Sequence, residues 1–172
     1  MSEQVRINVD GGVLEIVWNR PDKKNALSNA MYAEATAALL SASSDPTVRV
    51  VLLGAEGDAF TAGNDLADFA AVAAGRGESR AHGFIEAIAA FEKPIVAAVP
   101  GLAVGVGATM LLHCDLVFVS ETARLTTPFV GLGLTPEAAS SVLLPARIGH
   151  ARAFAMFALG EGLTGREAAE LG

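Results

Sequence analysis

The chain has 172 residues, 52% of them hydrophobic and 18% charged, which suits one soluble domain with a sizeable core. Its formal net charge of −7, with no Lys/Arg cluster, argues against a nucleic-acid partner. The single cysteine, Cys114, excludes an internal disulfide and fits a reducing, cytoplasmic setting, and the charged start "MSEQVRINVD" lacks the apolar run of a signal peptide.

The opening "VRINVDGGVLEIVWN" alternates apolar residues on both sides of Asp10-Gly11-Gly12 and predicts a β-hairpin. "RPDKKNALS" is a polar loop ending in Ser28, an N-cap for a helix over "NAMYAEATAALLSAS" that Asp45-Pro46 stops. "VRVVLLGA" reads as a fully buried strand, because its apolar run does not alternate. The glycine-spaced loop "GAEGDAFTAGND" leads into a helical region to about Phe91, and Lys93-Pro94 separates that region from a buried strand, "IVAAV". "PGLAVGVGATMLLHC" turns sharply into a helix, followed by the strand "DLVFVS" and the short extended "RLTTP". Helices are expected from Pro136, from about His150 to Leu159 and from Thr164 to Leu171.

Strands alternating with helices imply parallel pairing in an α/β layered domain. No linker, repeat or low-complexity tract divides the chain, and it ends just after a helix with nothing closing the architecture. The uncharged stretch 94–112 approaches the roughly 20 apolar residues of a membrane span. Pro94, Pro100 and the glycines after them read instead as strand, turn and helix, so no membrane partner is expected.

Two turns are rich in small residues, Gly54 to Asp65 and Pro100 to Ala108. In a parallel sheet both emerge at the same edge, where two N–H groups at helix starts can meet one anionic oxygen. Close helix–sheet packing explains the same glycines, and spacing alone leaves both readings open. Met110 breaks a dinucleotide fingerprint, no Gly-Lys-Ser/Thr marks a phosphate loop, and His82, His113 and His150 lack metal-ligand spacing. Ser140-Ser141 lacks a nucleophile elbow, and Cys114 reads as a packed core thiol.

Between Glu121 and Glu161 the one acidic residue is Glu137. Thr135-Pro136-Glu137 makes a good helix start, with Thr135 as cap and Pro136 in the first turn. The apolar surroundings "FVGLGL" and "AASSVLLPA" support a second reading, a desolvated carboxylate poised as a base. An oxyanion site, one such glutamate and no metal or cofactor motif suit proton transfer beside a thioester carbonyl.

Four segments, "WNRPDKKNALS", "AFTAGNDLADF", "KPIVAAVPGLAVGVGATMLLHCDLVFVSETARL" and "GREAAELG", resemble, in order, blocks of the enoyl-CoA hydratase/isomerase (crotonase) family. The resemblance covers nearly the whole chain. It implies one α/β domain over 1–172, a spiral of strand–strand–helix turns to about 147. The start of a C-terminal helical part, cut short, fills about 148–172, and a homotrimer or dimer of trimers is implied. The oxyanion hole implied is the N–H groups of Asn64 and Val106; a β-branched valine there needs an ordinary negative φ. The coenzyme A groove and acyl site would be lined by Lys24, Ala26, Leu27, Ala62, Gly63, Asn64, Asp65, Leu66, Gly105, Thr109 and Phe129. No metal and no cofactor is implied, coenzyme A being part of the substrate.

Hydratases of the family carry two glutamates where this chain has Thr109 and Phe129, and adding water needs such a pair. "TTPFVGLGLTPEAASS" and "AGNDL" are instead similar to the peroxisomal-type Δ3,Δ2-enoyl-CoA isomerases, whose single catalytic glutamate matches Glu137. The activity implied is conversion of a 3-enoyl-CoA to a trans-2-enoyl-CoA. Hydration or another family reaction, and a non-catalytic acyl-CoA-binding subunit, are the alternatives. For the isomerase, Glu137 is expected to face a cavity between the Asn64 and Val106 amides.

Overall fold

The computed structural model describes residues 4–172, so the first three residues of the charged amino terminus lie outside it. Strands β1 (Val5–Asp10) and β2 (Val13–Trp18) form the expected antiparallel hairpin, in register from Val5↔Trp18 to Asp10↔Val13. The polar loop contains a 3-10 turn at Pro21–Lys23 and delivers Ser28, whose hydroxyl accepts the Met31 N–H at 3.3 Å. That cap starts helix α1 (Asn29–Ser44), which buries Met31, Tyr32, Ala35, Leu39 and Ala42 along one face.

Strand β3 (Val50–Ala55) runs parallel to β2. The sequence reading made it fully buried, but only Val51 and Leu53 are. A pleated strand sends alternate residues to opposite faces, and one face of this sheet is covered only in part.

The glycine-spaced loop holds a strand that the sequence did not announce, β4 (Ala59–Thr61). The helical region after it is split into α2 (Leu66–Ala73) and α3 (Ala81–Ala89). Strand β5 (Ile95–Val99) then leads to a second unannounced strand, β6 (Leu102–Val104), inside the second small-residue turn. Helix α4 (Val106–Thr109) continues as a 3-10 turn over Met110–His113. Strands of three residues are too short to show a period of two, which is why both escaped notice.

Next come β7 (Leu116–Val119), β8 (Arg124–Thr126), α5 (Ser140–Ile148) and α6 (His150–Phe154), the last extended by a π turn to Leu159. The chain ends with β9 (Leu163–Thr164) and α7 (Gly165–Glu170), where Thr164 and Glu167 form a capping box. The helix expected from Pro136 begins only at Ser140. Ala138 and Ala139 take left-handed conformations, φ 52° and 53°, which no helical turn accommodates.

The strands make two sheets, ordered β1-β2-β3-β5-β7 and β4-β6-β8-β9. In the first, β2, β3, β5 and β7 are parallel; in the second, β4, β6 and β8 are parallel and β9 is antiparallel to β8. After the hairpin, each turn of the spiral from β3 to β8 lays one strand in the large sheet, one in the small sheet, and then leaves for a helix or an irregular segment. Trp18, Tyr32, Phe60 and Phe84 are the largest buried side chains of the core. The stretch 94–112 is divided among β5, β6 and α4, and among the described residues no helix is long and apolar enough to cross a membrane.

Candidate active site

The small sheet decides where the candidate residues meet. β4, β6 and β8 are adjacent and parallel, so their C-terminal ends lie side by side at one edge, about 4.8 Å from strand to strand. Asn64 follows β4, Val106 follows β6, and the segment carrying Glu137 follows β8. Ligands of open α/β sheets bind beyond such strand ends.

The first turn is held tightly. Leu27 bridges to it, its N–H donating to Gly63 O at 2.8 Å and its carbonyl accepting the Asp65 N–H at 2.9 Å. With its carbonyl turned to Leu27, the Gly63–Asn64 peptide points the Asn64 N–H the opposite way, since the two groups of a trans peptide are antiparallel. Ala62 N–H donates to Lys24 O at 2.8 Å, and Thr61 Oγ1 donates to Asn25 O at 2.7 Å. Asp65 caps α2 through Ala67 and Asp68, and its carboxylate meets Arg20 at 3.0 Å. Although burial opposes ionisation, bonds from Arg20 and from the Asp68 and Ala67 N–H groups hold the Asp65 carboxyl below its ordinary value.

The second turn is pressed against the first. Gly63, at φ 90°, has no room for a side chain: a Cβ would stand 3.0 Å from Val104 O. A Cβ on Gly107 would collide with Thr61 Cγ2. Gly105 absorbs the positive φ, 57°, and its N–H donates to Thr126 O at 2.8 Å. Val106 can then enter α4 at an ordinary helical φ, and as the first helical residue its N–H has no carbonyl of the preceding turn to bond.

Glu137 reaches this place through Thr109. The Thr109 hydroxyl, 1% exposed and one helical turn beyond Val106, donates to Glu137 Oε1. Glu137 Oε2 is buried without a hydrogen-bond partner. Burial raises the Glu137 pKa from the ordinary 4.5; the Thr109 bond and nearby His113 oppose the shift without cancelling it. His113 Nε2 lies 3.0 Å from Ala138 O, tying down the left-handed residues that follow. Glu137 is thus a desolvated carboxylate outside any helix, and the helix-start reading of Thr135-Pro136-Glu137 does not describe it.

A model of the enoyl-CoA hydratase/isomerase family matches residues 8–172. The chain belongs to that family. It is 41% identical to enoyl-CoA delta isomerase 2 of Rattus norvegicus over 97% of its own length and 44% of that protein. Among solved structures, a putative enoyl-CoA hydratase/carnithine racemase from Magnetospirillum magneticum AMB-1 superposes with a TM-score of 0.93 at 46% identity, over 100% of this chain and 68% of that one. Pseudomonas aeruginosa OdaA also gives 0.93, at 49% identity over 99% of this chain and 69% of that one. The chain spans about half the length of the curated delta isomerase relatives it matches.

Of the residues that the family resemblance singled out, the structure gathers Leu27, Ala62, Gly63, Asn64, Asp65, Gly105, Val106, Thr109 and Glu137 around the strand ends. Lys24 sits on the rim with its ammonium 2.8 Å from the Asp58 carboxylate, Ala26 accepts from Arg20 at 2.8 Å, and Leu66 is exposed. Phe129 is buried with its ring 6.0 Å from that of Phe157.

A cavity of ≈100 Å³ adjoins Asn64, Tyr32, Leu27 and Phe69, and a groove of ≈470 Å³ runs past Thr109, Phe118, Leu144 and Met156; Glu137 lines neither. Asn64 is exposed, so the space beyond the strand ends opens to solvent on that side. Among the described residues no His, Cys, Asp and Glu side chains gather as a metal site. Cys114 is a buried thiol, pushed up to about 12 by burial and by Asp115.

Sequence reasoning missed Arg20, His113 and Tyr32. Arg20 acts through the Asp65 carboxylate and His113 through the Ala138 carbonyl, partners distant in sequence that no local pattern announces. Tyr32 had a signal: it is the chain's one tyrosine, on the apolar face of α1, where a buried hydroxyl must find a partner.

Proposed function

We propose that this protein is an acyl-CoA double-bond isomerase that converts a 3-enoyl-CoA to the trans-2-enoyl-CoA. Glu137 removes a proton from C2, and the N–H groups of Asn64 and Val106 hold the thioester oxygen as the dienolate forms. Protonated Glu137 then delivers the proton to C4. One carboxylate suffices, because both carbons lie on one face of a planar dienolate. The observation that carries this reading is Glu137 itself: a half-buried carboxylate bound to Thr109, with Oε2 unpartnered, beside the strand ends that present the two amides.

Its raised pKa makes it a stronger base than a solvated glutamate. The places of the hydratase glutamates hold Thr109 and Phe129, which cannot deprotonate water. The delta isomerase relatives of rat and mouse support the same direction. Coenzyme A would lie along Lys24 to Leu27 and Ala62 to Leu66, and a homotrimer or dimer of trimers is the proposed assembly.

The test compares 3-hexenoyl-CoA isomerisation with crotonyl-CoA hydration on one preparation. Faster isomerisation is expected. Faster hydration would replace this reading with a hydratase, a name borne by a Bacillus subtilis relative at 32% identity. Binding of both thioesters without turnover would leave an acyl-CoA-binding subunit.

A further inference from the structure

Tyr32 lies on α1 with its ring 2% exposed, tilted 46° against Phe84 at 5.6 Å. Phe84 in turn meets Trp18 edge-on at 6.0 Å, so the phenol stands on the rigid part of the core. From there its hydroxyl donates to Asn64 Oδ1 at 2.6 Å. Burial, and after it the charge of Glu137, pushes Tyr32 ionisation far above its ordinary range, so the hydroxyl stays a donor at every working pH.

Asn64 is exposed, and the Leu27 bonds hold Gly63 O and the Asp65 N–H on either side of it without touching its side chain. The Leu27 bridge aims the Asn64 N–H, and the carboxamide bond to Tyr32 fixes the residue from its other end.

We propose that Tyr32 is a positioning residue for the oxyanion hole: through the Asn64 carboxamide it holds the Asn64 backbone N–H on the thioester oxygen. This rests on the acyl-thioester reading of the site. Tyr32 acts through Asn64. The Asn64 side chain, which a pure backbone donor would make dispensable, becomes part of the device. Asn64→Ala removes the anchor and leaves a buried phenol without its acceptor.

Tyr32→Phe keeps the ring packing and deletes the bond. It should lower kcat by about 3- to 10-fold, the worth of one hydrogen bond, with KM within about twofold. Asn64→Ala should do the same, and the double variant should be no worse than the poorer single one, since both remove one interaction. A second readout needs no turnover. In bound 2,4-hexadienoyl-CoA, hydrogen bonds to the thioester oxygen draw electrons along the conjugated chain and move its absorbance to longer wavelength.

Saturated Tyr32→Phe should show a smaller shift than wild type, with Kd and Tm little changed. A full shift and full kcat in Tyr32→Phe overturns the role. So do additive losses in the double variant, or a loss of kcat that only follows a fall in Tm. A wild-type chain that neither binds nor shifts the probe removes the acyl-thioester reading and this role together, and that arm is read before any variant.

Discussion

The Asn64 turn and the Glu137 segment meet at the same strand ends and are built in opposite ways. The turn is a lattice of main-chain bonds: Leu27 on both sides of Asn64, Lys24 to Ala62, Asp65 on the α2 start, and Tyr32 on the side chain. The segment after β8 is irregular, with one 3-10 turn at Val130–Leu132, exposed Val130, Leu132 and Leu134, and two alanines in left-handed conformations. Its ties to the site are the Thr109–Glu137 bond and the His113–Ala138 contact. Left-handed alanines cost about 1–2 kcal/mol each and persist only where neighbours impose them. A donor made of backbone can be fixed by a turn. A lone carboxylate has to be carried by its chain into an apolar place, and that strains the chain.

Removing the carboxylate breaks the comparison most sharply. Glu137→Gln keeps the shape and should lower turnover by about 10²–10⁴, as expected for a positioned acid–base group. Stability should move the other way. The folded pKa of Glu137 is raised, so between the unfolded and folded values the unfolded chain binds fewer protons, and stability falls as pH rises through that window. Above the unfolded value Glu137 therefore costs stability that glutamine does not, and Tm should rise as kcat collapses. Near-native turnover in the variant would remove Glu137 from the mechanism.

On the other side, Asn64→Pro deletes one donor and should cost about 2.7–4 kcal/mol in kcat/KM, the usual worth of an oxyanion-hole donor. Unaltered kcat/KM with correct folding would show that the Asn64 N–H does not contact the oxyanion.

Gly63→Ala probes rigidity rather than chemistry. At φ 90°, with Val104 O 3.0 Å from the new methyl, it should lower stability by about 1–3 kcal/mol in chemical denaturation. An unchanged midpoint would mean that the turn is looser than its bonds imply.

Thr109→Val should have the smallest effect. It removes the bond that restrains the Glu137 pKa, so the acid limb of the pH–rate profile should move to higher pH. At the plateau kcat should stay within about 10-fold of wild type, the scale of one hydrogen bond. A limb moving to lower pH would mean that Thr109 does not stabilise the charged carboxylate.

Most of the large sheet and α1 is legible in local sequence patterns. The alternating hairpin, the Ser28 cap, the run of β5 between Pro94 and Pro100, and the apolar run of β7 are local patterns, and local patterns survive into the fold. The sequence also isolated Glu137, because one acid in an apolar stretch stands out in any reading, and quoted motifs carried the family. Local chemistry was misleading at one point: Thr135-Pro136-Glu137 has every residue of a helix start, yet the packing of His113 and Thr109 against the segment overrides it. The pairing of β4, β6 and β8 into a second sheet comes from long-range contacts, because strands of three residues gain their definition from partners far along the chain. That pairing brings the segments that carry Asn64, Val106 and Glu137 to one edge of the small sheet. The fold also places Tyr32 on Asn64, a bond across 32 positions of sequence: the apolar face of α1 called for a partner to the hydroxyl, and long-range packing chose which.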